Sequence, residues 1–277
     1  MSFKFPHLWI KSGEVARTLT QGSLSKFKHL IKWKKSESIL EAGFASGSNS
    51  LQTLVPLLPH DYKEFIGSDI SDEMIDYAKK EFKLPRSEVV KLDVCGEIPS
   101  QFRERFDHIF GFNVIHVVKD PRKAFKNIKD MLKPGGSTFL TFFQHTPIEH
   151  SFVKLKNSPK WGRYDHNEMI PPYHYSASPL DEYQKDLEAA EFSKTIIQKA
   201  YETYTAKTDE DHEVLTDLFY AVNPVQLQIS DEKERNEYMK EYISEVFNGP
   251  VVNQRLDENG NKITDLTTLN MVVYATK

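Results

Sequence analysis

The sequence predicts an α/β fold, a doubly wound and mostly parallel sheet with helices on both faces. Three observations lead to this fold class. Strand-like apolar runs alternate with helical segments between residues 38 and 145, the runs are apolar throughout, and a glycine-containing turn follows the first of them. Alternating strands and helices are typical of parallel βαβ units, and a strand covered on both faces lacks the alternation of a half-exposed one.

The elements are predicted in order from the N-terminus. Residues 14–32 carry apolar side chains at near-helical spacing, which indicates one or two amphipathic helices before the sheet. Apolar runs between turn residues predict strands at 38–42, 64–69, 88–92, 106–112 and 137–144. The segments between these strands predict helices at 50–58, 72–82 and 121–133. Ser71 is expected to cap the second of these helices, and Pro134-Gly135-Gly136 to end the third.

Residues 146–180 interrupt the alternation with a stretch rich in Pro, Tyr, His and Ser. A long structureless segment is unusual inside a compact domain and is commonly a lid, so we predict a helical or loop insert that caps the site. The C-terminal part then predicts a helix capped by Ser178, a strand at 193–208, acidic helices at 209–222 and 230–247, and a turn and strand within 257–277.

Composition excludes several classes of protein. Lys and Arg number 36 against 40 Asp and Glu, a formal net charge of -4, whereas nucleic-acid-binding proteins usually have a basic excess. Cys95 is the only cysteine, so an intramolecular disulfide and a cysteine-based zinc site are excluded. The histidines lack a metal-binding spacing, and we expect no metal. We also expect a cytoplasmic protein without a membrane span, because no segment resembles a signal peptide or approaches ~20 apolar residues.

The strongest chemical signal lies where the predicted strands end. Glu41 to Gly47 follow the first strand and open a helix, a turn that lets the backbone approach a ligand and favours an anionic group. Asp69 ends the second strand and could accept hydrogen bonds from two ribose hydroxyls. Asp93 ends the third and could accept one from an adenine amino group. Open α/β sheets bind ligands at the carboxyl ends of their strands.

The spacing of the glycines argues against a nicotinamide cofactor. The turn has the pattern G-x-x-x-G, with Ala45 where the dinucleotide fingerprint requires its middle glycine. Each feature has an ordinary structural explanation, which is packing for the turn and helix capping for the aspartates. Their order along the chain is what favours a nucleotide-like ligand.

Five segments carry a family resemblance: EAGFASGS, GSDISDEMIDYAKKEF, VVKLDV, FDHIFGFNVIHVVKDPRKAFKNIKDMLKPGG and FFQHTPI. In this order they resemble class I S-adenosylmethionine-dependent methyltransferases, whose sheet is Rossmann-like. HTPI, and AVNP late in the chain, resemble more closely the insect juvenile hormone acid methyltransferases. The resemblance implies S-adenosylmethionine as cofactor and a small apolar, isoprenoid-like acid or alcohol as substrate. It leaves the oligomeric state open.

The resemblance also implies a division of the chain and a set of site residues. Residues 1–145 would hold the N-terminal helices and the cofactor-binding half of the domain, 146–180 the lid, and 181–277 the strands that complete the sheet. The implied cofactor residues are Glu41, Gly43 and Gly47 beside the methionine part, Asp69 at the ribose, Ile70, Asp93 and Val94 at the adenine, and Phe112 and Asn113 near the sulfonium. His116 is expected where an apolar substrate tunnel meets the cofactor.

Three positions depart from the family pattern. Ala45 replaces a glycine, Ala16 aligns with a glutamine that orients the substrate carboxylate, and Val117 replaces the tryptophan of a His-Trp pair. The usual contacts to the carboxylate are therefore absent. We expect Ala16 and Val117 to border the substrate all the same, together with Tyr173 and Tyr175 of the insert.

The nature of the acceptor determines the chemistry that the site needs. A carboxylate has a pKa near ~4 and is already a nucleophile at pH 7. An alcohol needs a general base, for which His116 and His145 are the catalytic candidates. An alternative function stays open, that of a paralogue that keeps the fold without transferring methyl and binds or cyclises an isoprenoid.

Overall fold

Within residues 5–277, the part of the chain that the computed structural model describes, eight strands form one sheet. The strands are β1 (Ser38–Ala42), β2 (Glu64–Asp69), β3 (Ser87–Lys91), β4 (Phe106–Phe112), β5 (Leu132–His145), β6 (Lys194–Ala206), β7 (Val252–Leu256) and β8 (Lys262–Thr276). Their order is β3-β2-β1-β4-β5-β8-β6, with β7 also paired to β8. Pairs among β1 to β5 are parallel, and β8 runs antiparallel to its partners. The predicted fold class is confirmed.

Helices cover both faces of the sheet. They are α1 (Pro6–Phe27), α2 (Ser48–Thr53), α3 (Asp72–Glu81), α4 (Pro121–Met131), α5 (Pro147–Lys156), α6 (Pro179–Ala189), α7 (Asp209–Ala221) and α8 (Glu232–Phe247). Successive residues of a strand point to opposite faces. Leu40 of β1 accordingly packs in a cluster with side chains of α4 and α6. Its neighbour Ile39 packs in a second cluster with side chains of α1 and α3.

The first half of the sheet agrees closely with the sequence. The bounds of β1, β2 and β4 are those predicted, and β3 begins one residue earlier. The Ser71 side chain accepts a hydrogen bond from the Met74 N–H and caps α3, as expected. Strand order reverses between β1 and β4, which places a binding crevice at their carboxyl ends.

Several predicted elements differ from the structure. The N-terminal segment is one helix, α1, as one of the two predictions allowed, but it begins at Pro6 rather than at residue 14. The insert, expected to be helical or loop, contains the helix α5, whose first turn is held by a capping box between Thr146 and Glu149. β5 begins at Leu132 and includes Pro134-Gly135-Gly136, because the register shift against β4 accommodates those residues. Ser178 is at the N-cap position of α6, but its side chain makes no capping hydrogen bond.

The sequence analysis also missed β7. The segment from Val252 to Leu256 pairs with β8 as a hairpin around the Asp257 turn. Its residues are mostly polar and exposed, so no apolar run marked it. No helix among residues 5–277 has the length and apolar character that crossing a membrane requires.

Candidate functional site

The turn between β1 and α2 is tightly constrained. Gly43 and Gly47 have φ angles of 71° and 76°, a region that glycine adopts readily and other residues rarely. A Cβ on Gly43 would lie 2.7 Å from the Cβ of Val114, and one on Gly47 would lie 2.5 Å from Cζ of Phe44. At both positions the backbone therefore follows a path that leaves no room for a side chain.

Asp69 is buried at the end of β2 and holds this turn in place. Its Oδ2 accepts the Ala45 N–H at 2.8 Å, and its Oδ1 accepts the Ser71 N–H at 2.9 Å. Ala45 has a φ of 49°, so a residue with a side chain occupies the left-handed region here. Burial raises the pKa of Asp69, and the backbone hydrogen bonds act in the opposite direction. The carboxylate thus has a structural role in addition to any contact with a ligand.

A cleft of about 890 Å³ opens at the carboxyl ends of β1 to β4. Among its lining residues are six of the predicted cofactor residues: Gly43, Asp69, Ile70, Asp93, Val94 and Asn113. Ile70 is 39% exposed, a large apolar side chain presented to solvent beside the cleft. Glu41, Gly47 and Phe112 lie behind this lining rather than in it. A planar apolar ring beside Ile70 and a hydroxylated group beside Asp69 would both fit such a surface.

Three buried oxygen atoms at this edge have no hydrogen-bond partner among the described residues. They are Oε2 of Glu41, Oδ1 of Asn49 on α2 and Oδ1 of Asn113 after β4. Burial raises the pKa of Glu41 to about 8, although its Oε1 accepts a hydrogen bond from Ser50 Oγ at 2.7 Å. Unpaired buried acceptors are costly unless a donor arrives. The ammonium group in the methionine part of S-adenosylmethionine is such a donor, so these residues fit the expected cofactor.

A second cavity of about 720 Å³ adjoins the cleft. Its walls come from α1, the residues after β4, the end of β5, the insert, α7 and β8, and are mainly apolar: Trp9, Val15, Ala16, Leu19, Val117, Phe143, Pro147, Ile148, Met169, Pro171, Leu218, Val222 and Leu266. We call this cavity the chamber. Asn113 and Val117 line both the chamber and the cleft, so these two residues form the common wall.

His116 also lines the chamber. Its ring lies edge-on to Phe143, with 4.9 Å between the ring centroids. The Nδ1 atom is buried and has no partner among the described residues. Burial lowers the pKa of His116 to about 3, because removal from water disfavours the charged imidazolium. The ring is therefore neutral at physiological pH.

His145 and the two predicted tyrosines lie outside the chamber lining. The His145 side chain is half-exposed, and its Nδ1 is 3.5 Å from Oε1 of Glu149, whose hydrogen bond raises the pKa of His145. Tyr173 donates its hydroxyl hydrogen to Asp186 of α6, and Tyr175 is 68% exposed. This placement differs from the expectation because His145 pairs with Glu149, Tyr173 is held by Asp186, and Tyr175 is presented to solvent.

The sequence analysis missed most of the chamber. Trp9, Met169, Leu218 and Leu266 are far apart in the chain and meet only in the folded protein. The one local signal was the apolar stripe of α1 and α7, which predicts a buried helix face without saying what it faces. No group of three or more His, Cys, Asp or Glu side chains within residues 5–277 is arranged to hold a metal ion.

Comparisons with known proteins agree with this geometry. A family model described as a methyltransferase domain matches residues 40–138. The chain is 32% identical to juvenile hormone acid O-methyltransferase of Bombyx mori over 220 residues, which is 78% of each protein. It is 28% identical to the Drosophila melanogaster protein of the same name over 278 residues, covering 98% of this chain and 91% of that one. The YcgJ protein from Bacillus has a similar fold, with a TM-score of 0.58 and 16% identity over 92% of this chain and 97% of YcgJ.

Proposed function

Because the chain belongs to the class I S-adenosylmethionine-dependent methyltransferases, in the family of the juvenile hormone acid O-methyltransferases, we propose that it methylates the carboxylate of an apolar, isoprenoid-like acid. The protein is a methyltransferase, and S-adenosylmethionine is its cofactor. The observation that supports the choice of acceptor is the pairing of two cavities. A cleft with polar groups and a mainly apolar chamber share a wall at Asn113 and Val117.

The cleft supplies the proposed cofactor contacts. Asp69 would accept hydrogen bonds from the ribose with the lone pairs that the turn leaves free, while Ile70 and Val94 would pack beside the adenine and Asp93 would accept its amino group. Glu41 and Asn113 would receive the methionine ammonium, and Gly43 and Gly47 would let the backbone approach it. The bound cofactor supplies a methyl group on a positively charged sulfur. The task of the protein is then to hold an acceptor oxygen in line with that methyl.

The state of His116 favours an acid over an alcohol. An alcohol must lose a proton during transfer, and a base of pKa about 3 accepts protons poorly at neutral pH. A carboxylate is already ionised and needs no base. A neutral imidazole can still donate one N–H to the carboxylate. We therefore assign His116 a positioning role at the head of the substrate.

The lining of the chamber also suggests how the acceptor is oriented. Its polar lining residues are Asn113, His116, Thr146, Glu149 and Thr268, and Asn113, which also lines the cleft, marks a polar end beside the cofactor site. Trp9, Leu218 and Val222 lie among its apolar walls. The carboxylate would lie at the polar end, and burial of the chain against the walls would supply affinity at ~25 cal/mol per Å². Ala16 and Val117 belong to the lining but offer no hydrogen bond. Of the polar lining residues, we assign Asn113 and His116 to the carboxylate in place of the missing glutamine and tryptophan.

The test is a comparison of acceptors with the purified protein and S-adenosylmethionine carrying a labelled methyl group. We expect methyl ester from a farnesoic-type acid, no ether from the corresponding alcohol, and at least 10-fold slower transfer to a short-chain acid. Methyl transfer to the alcohol at a similar rate would contradict the choice of a carboxylate. Cofactor binding with no methylated product from any apolar acid would contradict the proposed function and favour a binding paralogue.

A further inference from the structure

A hydrogen bond joins α1 to the common wall of the two cavities. The Nδ2 of Asn113 donates to Thr20 Oγ1 at 3.0 Å. Thr20 is buried on α1, one residue after Leu19 and one helical turn from Ala16, and both of these line the chamber. The bond therefore links the helix that covers the acceptor to the residue that faces both ligands.

The bond also decides which way the Asn113 amide points. With its nitrogen directed at Thr20, the amide presents Oδ1 on the other side, where that oxygen is buried and has no partner among the described residues. Asn113 has a φ of 56° and its backbone N–H donates to Thr141 O at 2.7 Å, so the backbone itself is fixed. The remaining freedom of this residue is rotation of its amide, and Thr20 restricts that rotation.

The Thr20 bond is not what attaches α1 to the sheet. One turn further along the helix, Ser23 Oγ accepts Asn270 Nδ2 at 3.2 Å and donates to Glu202 Oε1 at 3.2 Å. Lys26 Nζ lies 2.9 Å from the same carboxylate oxygen. These groups connect α1 to β6 and β8 independently of Thr20. Loss of the Thr20 hydroxyl should therefore leave the helix in place and free the amide.

We propose that Thr20 is a positioning residue for methyl transfer, which acts by holding the Asn113 amide with its oxygen facing the junction of the cleft and the chamber. A fixed dipole at that point costs no reorganisation when a positively charged ligand enters, whereas a freely rotating amide must be ordered first. The assignment rests on the proposed function, since it assumes that cofactor and acceptor meet at Asn113. Nothing in the sequence marks Thr20, because the residue that it positions lies 93 positions away.

The experiment compares Thr20→Val with Thr20→Ser. Valine keeps the shape of threonine and removes the hydroxyl, while serine keeps the hydroxyl and removes the methyl. We expect Thr20→Val to weaken the binding of S-adenosylmethionine about 5-fold by calorimetry and to lower kcat for a farnesoic-type acid about 10-fold. We expect Thr20→Ser to stay within 2-fold of wild type in both. Ser12→Ala is the matched control, since Ser12 is a buried hydroxyl on the same helix whose hydrogen bond goes to Leu8 O.

Three results would overturn the role proposed for Thr20. Wild-type affinity and turnover in Thr20→Val would overturn the proposal. Thr20→Ser protein as impaired as Thr20→Val would also overturn it, because the effect would then come from packing of the threonine methyl and not from the hydroxyl. An equal loss in Ser12→Ala would also overturn it, by assigning the effect to helix stability. The calorimetric comparison needs no acceptor, so it decides this proposal even if no apolar acid is methylated.

Discussion

Each end of the sheet contains a buried glutamate and a histidine, which is buried at the amino end and half-buried at the carboxyl end. The two pairs differ in whether their polar atoms have hydrogen-bond partners. At the amino end, both ring nitrogens of His108 have partners: Nδ1 lies 2.8 Å from Ser137 Oγ and Nε2 lies 3.1 Å from Glu37 Oε2. At the carboxyl end, His116 Nδ1 and Glu41 Oε2 have none among the described residues. Similar residue types therefore serve structure at one end and are available to a ligand at the other.

The difference shows what distinguishes a site from a core. The Glu37 carboxylate also accepts the Lys34 N–H at 2.8 Å, and the Trp33 ring lies edge-on to His108 at 4.7 Å between centroids. The ring nitrogens of His108 and the Glu37 carboxylate are thus paired within the chain itself. An unmatched buried acceptor costs about 1–3 kcal/mol, so a protein that leaves several together at one edge gives up stability there in favour of binding.

Replacement of Asp69 by alanine should have the largest effect. The change removes two charge-assisted hydrogen bonds to the Ala45 and Ser71 N–H groups and the proposed ribose contact. Each such bond contributes about 1.5–3 kcal/mol, so we expect S-adenosylmethionine affinity to fall at least 100-fold by calorimetry. The affinity of Asp69→Asn, which keeps one acceptor oxygen, should lie between those of wild type and Asp69→Ala. Unchanged affinity in folded Asp69→Ala protein would mean that Asp69 serves the turn alone.

Replacement of His108 by alanine should affect stability and spare binding. The change leaves a cavity and deprives buried Glu37 of a partner, which should cost about 2–4 kcal/mol of unfolding free energy in urea. The affinity of the folded variant for S-adenosylmethionine should stay within 2-fold of wild type. A 10-fold loss of affinity with little loss of stability would reverse the roles assigned to the two ends.

Glu41 should make the stability of the cofactor-free protein fall as pH rises. Its pKa is about 8 in the folded protein against 4.5 for the free side chain, so between these values the folded state keeps a proton that the unfolded chain releases. Stability conferred by that proton is present below pH 4.5 and is lost progressively up to pH 8, at no more than about 1.4 kcal/mol per pH unit.

The measurement is urea unfolding of wild type and Glu41→Gln at pH 5, 6, 7 and 8. Because glutamine does not ionise, the variant should lack this contribution, and its advantage over wild type should grow with pH. If the unfolding free energies of the two proteins instead changed in parallel from pH 5 to pH 8, Glu41 would be ionised in the folded protein and already paired.

Replacement of Ala45 by glycine should have the smallest of these effects. A left-handed conformation costs a residue with a Cβ roughly 1–2 kcal/mol, and glycine loses about 0.5–1 kcal/mol through its greater freedom when unfolded. We therefore expect a net gain of about 0.5–1 kcal/mol in urea, with S-adenosylmethionine binding unchanged or tighter. Weaker binding would mean that the alanine methyl contributes to the turn as it stands.

The carboxyl edge could be predicted from the sequence because its information is local. Glu41 to Gly47, Asp69 and Asp93 lie at the end of a strand or shortly after it, and parallel strands bring their carboxyl ends together whatever the rest of the chain does. The hydrogen bonds between buried side chains at the amino end could not be predicted. His108 pairs with Glu37 across 71 positions, and no spacing rule connects them.

Apart from Ala16, His116 and Val117, which the family resemblance implied, the residues of the chamber could not be predicted from the sequence. Its walls are ordinary apolar side chains from α1 to β8, which are indistinguishable in sequence from core residues such as those around Phe125. Only the packing of α1, α5 and α7 leaves space between them. Asn113 is an exception in part, since the family resemblance implied its place near the sulfonium, although its hydrogen bond to Thr20 was not predicted.

Cofactor and acceptor are proposed to meet at a wall that includes Val117, and a matched pair of substitutions examines that meeting. Val117 lines both cavities, whereas Val222 lines the chamber alone. Val117→Ala and Val222→Ala remove the same atoms, about 1.5 kcal/mol of burial at most. Both should raise KM for a farnesoic-type acid, and Val117→Ala alone should weaken calorimetric binding of S-adenosylmethionine, about 3-fold. Equal cofactor affinity in the two variants would contradict the shared wall and with it the proposed meeting of the two ligands.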